Sequence, residues 1–158
     1  DGTRNASGAA GSGSAHVSQT GTSFGSQVKG LVQCVHLPGP GTYALNGWGH
    51  GTGTQVTGGD IAELYWEYRK SGGESCTGLA PDATGTKVLS NGNSWSRPST
   101  PAYIEVSAQD WTDTSSIAVT LVAEEGGSGG PPTNAWFDGI TLGVAGDDTI
   151  FANGFDSP

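Results

Sequence analysis

Apolar and polar side chains alternate with a period of two through several stretches of this chain, and that period is the signature of extended strands. In DIAELYWEYRK (60–70), Ala62, Leu64, Trp66 and Tyr68 fall on one side, with Glu63, Tyr65, Glu67 and Arg69 on the other. Tyr43, Leu45 and Gly47 alternate in the same way against Ala44, Asn46, Trp48 and His50. Ala102, Ile104 and Val106 oppose Tyr103, Glu105 and Ser107, while Ile117, Val119 and Leu121 oppose Ser116, Ala118 and Thr120. Each segment therefore has an apolar set for a core and a mixed set for the outside, as in antiparallel sheets with one solvated face. Residues 60–70 also match helical spacing through Ile61, Leu64, Tyr65 and Tyr68. Aromatic and β-branched content and strand-rich neighbours decide for a strand.

Breakers punctuate the pattern. LVQCVHL (31–37) stops at PGPG (38–41), and GTGTQVTGG (51–59) reads as a loop. A longer loop is expected over 71–98, carrying Cys76, Pro81 and SNGNSWS. PAYIEVSA (101–108), SIAVTLVAE (116–124) and NAWFDGITLGV (134–144) supply further strands. With no crossover helices, this order predicts an all-β antiparallel sandwich of about eight strands. Residues 30–144 form the expected domain. A Gly/Ser-rich segment (1–29), in which SAHVSQT (14–20) reads as a short strand, precedes it, and a tail (145–158) follows. A chain of 158 residues suits one domain, which buries roughly 68–70% of its unfolded surface.

Charge narrows the function. The net charge is −9 with only 6 lysines and arginines, whereas nucleic-acid backbones and anionic membranes require a cationic surface. No apolar run is long enough to span a bilayer. An acidic surface suits calcium, neutral glycans or plain solubility. There is no methionine, as expected of a chain processed at its N-terminus and equally of a fragment. Cys34 and Cys76, in an acidic Gly/Ser/Thr-rich chain, are expected to form one disulfide in a secreted protein, the alternative being two buried thiols.

Catalytic patterns are sparse. Glu63, Glu67, Glu105 and Asp138 are carboxylates, but no spacing singles out a hydrolytic pair. No G-x-S-x-G elbow or phosphate-binding G-K-[ST] occurs, and His16, His36 and His50 are scattered.

The run PGPGTYALNGWGH, AELYWEYRKSGGESCTG, NSWSRPSTPAYIEVSA, SSIAVTLVAEEGG and NAWFDGITL resembles, in that order, secreted carbohydrate-binding modules of the galactose-binding-like jelly-roll class. The match covers roughly residues 30–143. It implies a jelly-roll sandwich with a glycan or polysaccharide ligand stacked on aromatics of one sheet face. That face would carry Trp48, His50, Glu63, Tyr65, Glu67, Arg69, Tyr103 and Glu105. The resemblance also implies a structural calcium, with Asp138 as a ligand. Two departures stand out: Gly139 replaces the second aspartate of the closing strand, and the usual first-strand motif is absent. Either the Gly-rich head (1–29) supplies a degenerate first strand and the tail folds back on its own sandwich, or the strand is missing and leaves an edge that a neighbouring copy's terminal segment, an exchanged arm, could complete, making the chain a self-assembling extracellular subunit. The tail TIFANGFD resembles C-terminal segments of secreted gammaproteobacterial proteins. Trp95 and Trp111 could line a loop-end site or staple loops. In AWFDGITL, Asp138 shares the parity of core residues Ile140 and Leu142 unless a bulge at Gly139 turns it outward.

Overall fold

The computed structural model describes residues 14–19, 27–52, 61–73, 75–76, 80–124, 133–146 and 149–152. Its strands are β1 (Ala15–Gln19), β2 (Gln27–His36), β3 (Gly41–Gly51), β4 (Ile61–Arg69), β5 (Ala83–Ser90), β6 (Ala102–Val106), β7 (Ser116–Glu124), β8 (Thr133–Val144) and β9 (Thr149–Ala152). One sheet runs β1-β8-β3-β6 with β9 also on β8, and the other runs β2-β7-β4-β5. Pairing is antiparallel throughout, with the first eight strands nested as 1 with 8, 2 with 7, 3 with 6 and 4 with 5. A chain folded back on itself in this way and rolled into two layers is a jelly roll.

The alternation read from the sequence sorts the core correctly. Tyr43, Leu45, Leu64, Ile117, Leu121, Phe137, Ile140 and Leu142 are almost wholly buried between the sheets. Each such side chain contributes about 1.5–3 kcal/mol when taken out of water. Trp66 packs against this cluster from its margin, as its parity requires, and so does Trp111, whose indole N–H donates to the Leu37 carbonyl. Between the layers, Gly49 makes room for the opposite sheet: a Cβ there would lie 2.6 Å from Leu89 Cβ and 3.0 Å from Ala62 Cβ.

Two features were not in the sequence reading, and another answers an alternative it left open. The expected 71–98 loop contains β5, whose alternation is carried by Thr84, Thr86 and Val88 on the outside and Leu89 within. Threonine and a central Gly85 gave that strand little apolar contrast. The sandwich also extends beyond 30–144 at both ends, because β1 and β9 each pair with β8. The edge assigned to a neighbouring copy is thus occupied within the chain, by β1 along 133–137 and by β9 along 141–143. Finally, β7 is buried on both faces from Ser116 to Ala123. Its outward residues Ser116, Ala118 and Thr120 are small, and longer neighbours in register close over them: His36 and Arg69, Cys34 and Glu67, Val32 and Tyr65.

Cys34 and Cys76 form the disulfide, which ties the turn after β4 to β2 across the outside of this sheet. Cys76 Sγ also lies 3.3 Å from the Ser116 hydroxyl. Most of 51–59, the head before residue 14 and the tail after residue 152 lie outside the described residues. Among the described residues no helix is long and apolar enough to cross a membrane.

Candidate functional site

The eight residues expected on one face lie on two. Glu63, Tyr65, Glu67 and Arg69 stand on β4, on the outside of the four-stranded sheet. Trp48 and His50 stand on β3, outside the five-stranded sheet, with the roughly 10 Å core between the two groups. Tyr103 and Glu105 share the five-stranded face, but β6 pairs only with 41–45 of β3. Tyr103 faces Ala44, which is four residues, or about 13 Å of strand, from Trp48. The single aromatic platform expected from the resemblance is therefore not formed, because β3 and β4 belong to different sheets of the roll.

The β4 group is internally committed. Tyr65 donates its hydroxyl to Glu67 Oε1 at 3.2 Å, and Arg69 Nη2 donates to Oε2 of the same carboxylate at 2.9 Å. Burial, then the neighbouring Glu67 charge, pushes the Tyr65 phenol up. Glu63 is only 6% exposed, and burial raises its carboxyl above the usual range, opposed by a hydrogen bond with Thr86. Glu63 and Glu67 lie four residues apart on one strand face, about 13 Å, well beyond the 5–9.5 Å of paired hydrolytic carboxylates. A pocket of about 200 Å³ lies nearby between β4, β5 and β6, lined by Tyr68, Lys70, Asp82, Glu105 and Asp110. Its groups serve the fold: Asp82 accepts from the Lys70 amide, Lys70 Nζ donates to the Gln109 carbonyl, and Tyr68 donates to the Asp110 carbonyl.

The aromatic face is built differently. Pairing of β3 with β8 steps from Asn46–Thr141 to Trp48–Asp138, so β8 carries one extra residue there. Gly139 absorbs it with φ at 54°, the left-handed region in which L side chains are strained. Phe137 and Ile140 both point into the core, while Asp138 lies in register with Trp48 on the other face, covered by its neighbours to 9% exposure. The bulge expected at Gly139 is present. Gly139 also leaves one flank of the indole bare, because a Cβ there would meet Trp48 Cδ1 at 3.4 Å.

Next to this pair runs a row of rings across the sheet. His16 on β1 stacks on Trp136 on β8, with centroids 4.8 Å apart and planes at 8°. His50 on β3 meets Trp136 edge-on at 5.2 Å and Trp95 at 5.6 Å. His16 Nε2 lies 2.9 Å from Asn134 Oδ1, which holds the ring in place. Trp95 arrives from the segment after β5, where Ser96 bridges to Gly49 with reciprocal backbone hydrogen bonds of 2.9 Å. The Asn46 amide holds the same segment by donating to the Pro98 carbonyl. His16, Trp136 and Asn134 were not among the candidates, and Trp95 was expected only to line a loop-end site or staple loops. His16 and Trp136 become neighbours only through β1–β8 pairing, the longest-range contact in the roll, and no local pattern announces it. Trp136 is 6% exposed and serves mainly as the wall that orients its neighbours.

Chemically, this face offers half-buried indoles, imidazole N–H groups and one carboxylate. It suits a ligand with an apolar face and peripheral hydroxyls. Among the described residues no three of His, Cys, Asp and Glu come together. A calcium at Asp138 would therefore draw its six to eight oxygens from carbonyls and hydroxyls.

No family model and no curated protein matches the chain. Among solved structures, it is similar to TmCBM61 in complex with β-1,4-galactotriose, at 20% identity and a TM-score of 0.39, over 72% of this chain. It is also similar to the infectious bursal disease virus Gt strain structure, at 14% identity and a TM-score of 0.43, over 84% of this chain. The VP2 subviral particle of that virus gives 12%, 0.34 and 91%. The chain spans 60% of the length of the first and 30% and 40% of the viral chains. None of the site residues is read across from these chains.

Proposed function

We propose that this chain is a non-catalytic extracellular carbohydrate-binding module whose sugar site is the outer face of the five-stranded sheet around Trp48. The observation that supports this most directly is the bulge at Gly139, which sets a carboxylate in register beside a half-buried indole. An indole packs against the C–H face of a pyranose, and a carboxylate, being an acceptor only, takes the sugar's hydroxyl protons. A bulge that sets one polar group in register with an aromatic is more economically explained by binding than by stability. The disulfide fits an oxidising compartment, in keeping with secretion.

The test is retention on a panel of insoluble and soluble polysaccharides. Trp48→Ala and Asp138→Asn are expected to abolish binding, while Tyr65→Ala, on the opposite sheet, retains it. Failure to bind any polysaccharide would sink the proposal.

A second reading, a self-assembling subunit, keeps one supporting observation. Leu31 and Val32, at 48% and 60% exposure, sit on β2, the edge strand of the four-stranded sheet among the described residues. An exposed apolar edge is a template for strand addition. A monomer at all concentrations by size-exclusion chromatography and electron microscopy removes it.

A further inference from the structure

We infer that Arg97 makes this sugar site prefer acidic glycans, those carrying a uronic-acid carboxylate, over their neutral counterparts. The inference rests on the Trp48–Asp138 face being the sugar site. Its own basis is strand register. Ser96 faces Gly49 in an antiparallel bridge, so the residues on either side face His50 and Trp48. The first of these is confirmed by contact, since Trp95 lies 5.6 Å from His50. One position the other way sets Arg97 across from Trp48, and Trp48 in turn faces Asp138 on its other side. Alternation puts Arg97 on the same face as Trp95, because Ser96 between them turns inward to donate to the Leu89 carbonyl. The Asn46–Pro98 hydrogen bond of 2.9 Å fixes the segment just beyond Arg97. Preceding a proline also holds Arg97 extended.

In register the row thus reads Arg97, Trp48, Asp138. Two interstrand steps separate its ends by about 10 Å. A pyranose about 5 Å wide with a hydrogen bond of roughly 2.8 Å at each edge spans the same distance. The ends are chemically opposite. Asp138 only accepts and so requires hydroxyls, whereas a guanidinium only donates and so requires acceptors. In a pyranose, hydroxyls 2 and 3 lie across the ring from C5, which carries C6. A sugar lying on Trp48 with its hydroxyls to Asp138 therefore turns C6 toward Arg97. A carboxylate at C6 is the group that a guanidinium fork binds best, with two parallel N–H···O bonds.

Arg97 is available for this role. It is exposed, whereas Arg69 is paired with Glu67 at 2.9 Å. The net charge of −9 would disfavour an anionic ligand only through charges nearby, because at physiological salt the Debye length is about 8 Å. Asp138 itself lies at about that distance from the C6 end, a ring width of about 5 Å and one hydrogen bond of roughly 2.8 Å away.

The experiment is titration of intrinsic tryptophan fluorescence with matched methyl glycosides: galactose with galacturonic acid, glucose with glucuronic acid and mannose with mannuronic acid. For at least one pair, the wild type should favour the uronate about fivefold at low salt, equivalent to about 1 kcal/mol, and less at high salt. Arg97→Ala should bring the ratio to about one with an unchanged melting temperature, and Arg97→Lys should fall between. If neutral sugars bind Trp48-dependently without uronate preference, or the preference survives Arg97→Ala, this inference fails and the sugar site stands. If no sugar of any pair binds, both fail together.

Discussion

Replacing Gly139 with alanine and, separately, with asparagine tests the bulge on which the site depends. The backbone at this position has φ at 54°, and a left-handed conformation costs an ordinary L residue about 1–2 kcal/mol. Steric crowding adds little, since the new Cβ would sit 3.4 Å from Trp48 Cδ1, an ordinary contact. Asparagine tolerates the left-handed region better because its short amide bonds locally. For a domain of this length, each kcal/mol shifts the melting temperature by about 2–4 °C. Gly139→Ala should therefore lower it by about 2–8 °C and Gly139→Asn by less. The measurement is calorimetry together with urea unfolding, where an unchanged m-value reports the same surface exposed. Alanine as stable as glycine, or asparagine worse than alanine, would refute a left-handed residue at 139. The outward aim of Asp138 would then lose its cause. Ligand binding should fall along with stability in the alanine variant, because any relaxation of the bulge moves Asp138 relative to Trp48.

Further outcomes follow from the opposite sheet, the disulfide and the ion site. Burial raises the Glu63 carboxyl, so its folded pKa lies above the unfolded value near 4.5. The folded state then binds more protons: stability is full below pH 4.5 and is lost as pH rises through the folded pKa. Glu63→Gln should stabilise the protein at pH 7 and match wild type at pH 4, and an equal difference at both would refute a raised pKa. The Cys34–Cys76 bridge closes 42 positions, for which the chain-entropy model gives about 4 kcal/mol. The Cys34→Ser, Cys76→Ser double variant should melt about 10 °C lower, and a loss under 2 °C would show that packing alone holds that turn. If Asp138 holds the calcium expected from the resemblance, added calcium raises the melting temperature and Asp138→Asn removes the rise. Identical melting in calcium and in chelator refutes it.

The fold was more legible than the site, and the difference lies in the range of the contacts involved. Alternation is local, so Tyr43, Leu45, Leu64, Ile104, Ile117 and Leu121 could be assigned to the core from five-residue windows. The same rule failed where contrast was low: Thr84, Gly85 and Thr86 of β5 carry no apolar side chain to mark an inner face. Face alone does not say which sheet a strand joins. Trp48 and Tyr65 were both correctly turned away from the core, yet they ended on opposite sides of the molecule because β3 pairs with β8 and β4 with β7. Sheet membership in a jelly roll is decided by nested pairings up to β1 with β8, which join residues more than 110 positions apart. His16 and Trp136 became visible only through that nesting, and Arg97 only through the Ser96–Gly49 bridge to β3. Asp138 is the instructive exception. Its outward aim depends on one local event, an extra residue absorbed by a glycine, and glycine inside a strand is a signal a sequence can carry. Where a binding residue is aimed by its own backbone it can be found by reading along the chain; where it is aimed by a partner strand, the pairing has to be known first.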